Sequence, residues 1–428
     1  MHRIDDRITA SAAARVRPHN PIPESPYEVL ALFTAAMVGA CLMMMSTGTL
    51  LPYMEKTLHL QQSQLGFVLS VQLVGAVLTT SVAGMLTDRF GDKAVVLWTS
   101  WFMGIALIAG AAVENFTWLL VWLLLYGIGF AAVTPAGSHA IVFFFKKEQR
   151  GFAMGVRQCG MPIAGVLGSL LLPLIAVRFD YQGALLAAGL ATIVAGTLAS
   201  LLYREPQALE GESATVVALL KEMIAMARDV RLVLVTLVSM ALVTAQCAAM
   251  AFLTLTLVHE AHYSITSSVA MFTVSQLGGI GGRLTWGWAS DNLFGGSRAI
   301  PLAVICAITA AAAFLTAFVT PATAPWAIVG IAFLLGFSAV GWFGLVVIAL
   351  AEIGGDQHSG SALGAGLTWT FVAGFAAPMI FGALADYRGF SFAWEMVALL
   401  CLCGIVPALL ASQFMRRFAE RSHMEATR

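Results

Sequence analysis

Hydrophobic residues come in long runs along this chain, and polar residues collect in the short gaps between them. Twelve apolar segments can be placed, at roughly 28–53, 65–86, 95–114, 117–145, 153–178, 183–203, 231–257, 264–289, 298–320, 325–350, 361–386 and 391–415. Each is about 20 residues or longer, the length an α-helix needs to cross the hydrocarbon core of a bilayer. No strand-like alternation argues for a barrel, and a helix satisfies its own backbone hydrogen bonds in lipid. The pattern therefore predicts an all-α membrane protein with twelve transmembrane helices.

Composition removes the soluble alternative. Of 428 residues, 59% are hydrophobic and 11% charged, and the mean hydropathy is +0.85. Ordinary soluble domains are about 25% charged. The polar stretch 204–230 divides the segments six and six, and its second part has helical periodicity. The expected organisation is a tail at 1–27, a six-helix bundle at 28–203, a connector at 204–230, a second bundle at 231–415 and a tail at 416–428. Residues 1–27 carry charges and prolines without the short apolar core of a signal peptide.

Charge sets the orientation. With the N-terminus cytoplasmic, eighteen of the 23 Lys and Arg fall in cytoplasmic tails and loops. Lys56, Arg178 and Arg388 fall on the other side, and Arg157 and Arg283 fall within segments. This inside-positive bias places both termini in the cytoplasm of a bacterial-type inner membrane. A net charge of zero gives no footprint for a nucleic-acid partner. All six cysteines lie in apolar runs with no metal or disulfide spacing, and read as small buried hydrophobes. No nucleophile–base pair, metal-ligand set or phosphate-cradling loop is present, so neither an enzyme nor a cofactor nor ATP drive is expected.

The two halves echo one another. "GMLTDRFGDK" (84–93) follows the second segment and "GWASDNLFGG" (287–296) follows the eighth. Both carry Gly-x-x-x-Asp and then a further glycine: Gly84, Asp88 and Gly91 against Gly287, Asp291 and Gly295. "GFAMG" (151–155) answers "GSALG" (360–364), and "DYQG" (180–183) answers "DYRG" (386–389). The intervals are 203, 209 and 206 residues. A duplicated six-helix unit is the plan of many secondary transporters, with the binding site near the midplane between the halves.

"GMLTDRFGDK" resembles the signature of the major facilitator superfamily, in the loop after the second helix. The resemblance covers about 28–415. It implies two pseudo-symmetric six-helix bundles that rock around a central cavity. It also implies a gating role for Gly84, Asp88, Arg89, Gly91, Lys93, Gly287 and Asp291, whose contacts would bias a two-state equilibrium. The chain differs from the usual signature at Asp92, where a basic residue is customary. No arginine precedes Gly127 and Gly129, where the family often carries one linked with proton coupling. Arg283-x-x-x-Gly287-x-x-x-Asp291 resembles the eighth helix of the monocarboxylate and oxalate:formate transporters, where the matching arginine is implicated in carboxylate recognition. This chain has no lysine in segment eleven or segment one, and Gly279 stands where the monocarboxylate group has an acid.

Ionisable residues deep in a membrane segment are costly and are functional candidates. Arg157, Arg283 and His139 qualify, whereas every Asp and Glu lies near a predicted segment end or outside. Arg283 lies eight residues before Asp291, and Arg157 seven after Arg150. At 1.5 Å per residue both are on the order of 10 Å inside the same surface. Arginine's planar fork suits a carboxylate, phosphate or sulfonate. The alternatives are snorkelling to the headgroups or bonding to backbone carbonyls at a helix end. Gln276, Gly279, Ile280, Arg283 and Gly287 share one helical stripe. Gln276, Gln246, Trp342 and Trp369 complete the expected substrate-binding set, with His139 as either a bonded structural histidine or a proton relay.

The expected function is secondary transport of a small organic anion, a carboxylate foremost, by a monomer, with proton symport as one coupling mode. The competing expectation is export of drug-like or amphipathic compounds by proton antiport. A non-transporting sensor on the same fold is the third.

Overall fold

The computed structural model describes residues 25–133, 137–145, 153–154, 156–204 and 228–426. Residues 1–24 of the tail and most of the connector lie outside them. Among the described residues the structure is helical with no strand. In chain order the helices are α1 (Pro26–Leu58), α2 (Gln62–Ala111), α3 (Phe116–Phe130), α4 (Ser138–Phe144), α5 (Gly160–Leu202), α6 (Val230–His259), α7 (Ile265–Asn292), α8 (Ala299–Ala317), α9 (Pro325–Ala339) and α10 (Phe343–Ala426). A 3₁₀ turn, Ala131–Val133, follows α3.

Local sequence sets the ends. Ser25, Asn115, Asp229 and Ser264 cap α1, α3, α6 and α7 with side-chain oxygens that accept from backbone N–H groups of the first turn. Pro26 and Pro325 occupy the first turns of α1 and α9, where no helical N–H bond is lost.

Eight described helical stretches are long and apolar enough to cross a bilayer. The twelve expected segments do not appear as twelve separate helices, because several turns are too tight to interrupt the helical pattern. α2 continues through a break at Gly91, whose φ of 81° is a conformation that favours glycine. α5 continues through Phe179 and Asp180. α10 runs for 84 residues and passes Gly389 at φ 87°.

α1 and α6 are the most enclosed helices and run through the middle. α5 turns Leu170, Leu171, Leu174 and Val177 outward, as a lipid-facing surface requires. Cys41, Cys247, Cys306 and Cys401 are buried as expected. Cys403 is exposed and Cys159 only half-buried, which corrects the expectation for those two. Cys403 stands on the outer face, where lipid and not protein covers an apolar side chain.

Three seams join the N-terminal and C-terminal halves. α1 meets α6 where Gly48 lies against Met250 and Glu55 against His259. A methyl group on Gly48 would stand 1.7 Å from the Met250 carbonyl oxygen, so only glycine allows this approach. α2 meets α10 in antiparallel register: Asp386 accepts from the backbone N–H groups of Gln62 and Ser63, Gly66 faces Pro378, and Ser70 donates to the Phe375 carbonyl. α5 meets α7 in the same register, with Gly165 facing Gln276 and the Ser169 hydroxyl 2.7 Å from that of Thr273.

Candidate functional site

The α5–α7 seam carries the chemistry. One of its contacts is made by the half-buried Arg283. Nη1 donates to the carbonyl of Gln158, on the approach to α5, at 2.9 Å. Nε donates to the carbonyl of Val340 at 3.3 Å. Both acceptors are neutral peptide groups, and no carboxylate bonds Arg283 among the described residues.

Val340 lies in the three-residue break, 340–342, between α9 and α10. A broken helix leaves carbonyls without their usual donor, and the guanidinium fills that need. The other half repeats the arrangement. Arg157 donates through Nη2 to the carbonyl of Val133, the last residue of the 3₁₀ turn between α3 and α4. Val133 and Val340 are separated by an interval within the range of the sequence repeat. Each of the two arginines thus reaches the carbonyl at the break in a neighbouring helix of its own half.

The two arginines differ in their further surroundings. Arg157 is 1% exposed and lines a cavity with Phe33, Met37, Val96, Thr99 and Ser100. Asp92 lies within electrostatic reach of it. That aspartate was expected in a loop. The left-handed turn at Gly91 tucks it inward, where it is 4% exposed and accepts from the Gly137 N–H at 2.7 Å. The expectation of a cation without an internal anion therefore holds less well for Arg157 than for Arg283. Both guanidiniums lie within electrostatic reach of the Cys41 thiol on α1. Through the Gln158 carbonyl, Arg283 also contacts the residue next to Arg157.

Gln276 is 1% exposed, and its Oε1 has no hydrogen-bond partner. It points across the seam at Gly165, where a methyl group would meet it at 2.7 Å. Gln246 and Trp342 come together, with the indole N–H donating to Oε1 at 3.0 Å. Trp342 sits in the same helix break as Val340. Trp369, on α10, is exposed.

The expected gating residues fall in two groups. The side chains of Gly84, Asp88, Arg89 and His139 lie outside the described residues. Gly91 makes the turn already noted, and the Lys93 carbonyl accepts from the Ser200 hydroxyl. Asp291 pairs with Arg298, which also bonds Ser290 and, at 3.0 Å, Glu352 on α10. Burial works against the Arg298 charge, but the Glu352 and Asp291 carboxylates outweigh it and hold the guanidinium above its ordinary range. Gly287 has open space where a side chain would begin. Sequence reasoning missed Arg298, Glu352 and Gln158, and read Asp92 only as a departure from a signature. The Arg298 network follows from loop folding, which spacing does not encode.

Comparison with known proteins agrees with this architecture. The family described as Major Facilitator Superfamily matches residues 32–378. An uncharacterised MFS-type transporter of Mycobacterium tuberculosis is 28% identical over 359 residues, covering 84% of this chain and 78% of that protein. A hexuronate transporter of Bacillus subtilis is 26% identical over 136 residues, 31% of each chain. A multi-drug resistance efflux pump of Streptococcus pneumoniae is 28% identical over 140 residues, 33% of this chain and 35% of that one. Among solved structures, a bacterial homologue of the human lysosomal transporter Spinster, inward-facing and occupied, superposes with a TM-score of 0.74 at 15% identity, over 92% of this chain and 98% of that one.

Proposed function

Because this chain belongs to the Major Facilitator Superfamily, we propose that it is a secondary transporter of a small organic anion, a carboxylate foremost, working by alternating access. The bundles 28–203 and 231–415 are the bodies that rock, in an inner membrane with both termini cytoplasmic. One observation carries the reading: Arg283 stands between the halves, bonded among the described residues only to peptide carbonyls. A cation held on weak dipoles in a low-dielectric setting attracts an anion strongly. The partial similarity to a hexuronate transporter supports the same class of ligand.

Binding at Arg283 would change the contacts that hold the halves. A carboxylate that draws the guanidinium from the Gln158 carbonyl removes a bond across the α5–α7 seam. A ligand with different affinity for the two states shifts their populations, which is the minimum that alternating access requires.

The partial similarity to a multi-drug efflux pump keeps export of amphipathic compounds as the second reading. Flux in proteoliposomes separates the two. Organic acids should enter saturably with the wild-type protein and lose at least about tenfold in apparent affinity in Arg283→Gln, since a hydrogen bond to a charged group contributes at least that much. Unchanged acid transport by Arg283→Gln would sink the anion reading. Movement of amphipathic drugs with no movement of acids would replace it by the second.

A further inference from the structure

Two amide side chains of the α5–α7 seam are left with buried, unmatched oxygens, one from each half. Gln276 is 1% exposed and its Oε1 has no partner. Gln158 is half-buried, and its Oε1 is likewise buried and unmatched. Neither is remote from the cation. The Gln158 backbone carbonyl is the acceptor of Arg283. Gln276 lies seven residues before Arg283 on α7, two turns along the same stripe and roughly 10 Å away by helical rise.

An unmatched buried amide is costly, and few are kept without use. In both residues the unmatched atom is the oxygen, an acceptor that needs a donor. The group that suits an amide in either orientation is a hydroxyl, which both donates and accepts. Gly165 leaves room for the Gln276 amide, since any side chain there would collide with it. The seam thus offers one cationic fork and two amide oxygens with acceptor capacity unmet.

We propose that the ligand of this seam is a hydroxylated organic acid, with its carboxylate on Arg283 and its hydroxyls on Gln276 and Gln158. This rests on the anion reading above and narrows it. Gln276 and Gln158 become the residues that separate hydroxy acids from plain acids of equal length. A site built to bond a ligand hydroxyl discriminates strongly against the analogue that lacks it, because its own polar groups are then unmatched.

The test is binding by thermal shift and by competition, using the full-length protein in lipid nanodiscs. The probes are two pairs, glycerate with propanoate and gluconate with hexanoate. In the wild type the hydroxylated member of each pair should bind at least about tenfold tighter, the effect of one or two matched amide bonds. Gln276→Leu and Gln158→Leu should each erase most of that preference, lowering glycerate and gluconate binding more than propanoate and hexanoate binding. Two variants on opposite halves guard against misfolding of either. Equal binding within each pair in the wild type overturns this inference and leaves the anion site standing. A preference that survives both substitutions also overturns it. If none of the four acids binds, the anion reading falls with it.

Discussion

Nη1 of Arg283 and the backbone carbonyl of Gln158 are 2.9 Å apart, so a charge carried by one half of the molecule is tied to the main chain of the other. Lysine at this position would keep the charge and lose the fork that reaches Gln158 and Val340 together. Arg283→Lys should therefore retain some transport, with an apparent affinity for organic acids about tenfold weaker, as expected for loss of one charge-assisted bond. Concentration-dependent uptake into proteoliposomes measures it. Wild-type affinity in the lysine variant would show that charge alone suffices.

Two glycines should respond in opposite ways to the same methyl group. Gly48→Ala sets Cβ against the Met250 carbonyl and forces α1 from α6. Overpacking of this kind costs about 1–3 kcal/mol, so its melting temperature should fall clearly. Gly287→Ala meets nothing within 4 Å and should raise stability by up to about 1 kcal/mol through helix propensity. Transport by Gly287→Ala then tests gating at that position without a packing artefact. A wild-type rate would remove Gly287 from the gating set.

His259 and Glu55 form a 3.0 Å contact between the ends of α6 and α1, reinforced by Gln62, which donates to the other Glu55 oxygen. Glu260 is the further charge felt by the imidazole, and Phe390 stacks on it. The pair is ionic only while the imidazole is protonated. The Glu55 hydrogen bond raises the imidazole above histidine's ordinary range, so the contribution is fully present below that range and is lost as pH rises through the raised value. Spin labels at Gln61 and His262 should report a shorter, narrower distance at the acid end, and His259→Gln should flatten that dependence. A pH response that persists in His259→Gln would place the sensor elsewhere.

Arg298 joins Asp291 to Glu352, and both carboxylates are well exposed. Exposed pairs contribute little, so Arg298→Ala should lower stability by no more than about 1–2 kcal/mol for the two together. The loop after α7 would lose its link to α10, and the larger effect should fall on transport rate. Calorimetry and flux on the same preparation separate the two. A large loss of stability with a normal rate would make the network purely structural.

Much of this arrangement was legible from residue order. Run lengths gave the membrane helices, and the spacing of Gly84, Asp88, Gly287 and Asp291 gave the duplication. Arg283 stood out because a charge in lipid is conspicuous. What the sequence could not give was the partner of each charge. Arg157 and Arg283 look alike on paper, yet the turn at Gly91 brings Asp92 toward only one of them. The segment boundaries near Gly91 and Asp180 are non-helical breaks inside α2 and α5, too short to read as loops from residue order. The acceptors at Val133 and Val340 are main-chain atoms, which no side-chain pattern announces.

The break between α9 and α10 gives Arg283 a place to wait. Resting on the Val340 and Gln158 carbonyls, the guanidinium has hydrogen bonds but, among the described residues, no carboxylate partner. A carboxylate standing there instead would have to be displaced by every incoming anion. A peptide dipole yields far more readily, so under the proposed anion reading the empty carrier would stay receptive, and release would require only that the carbonyls reclaim their donor.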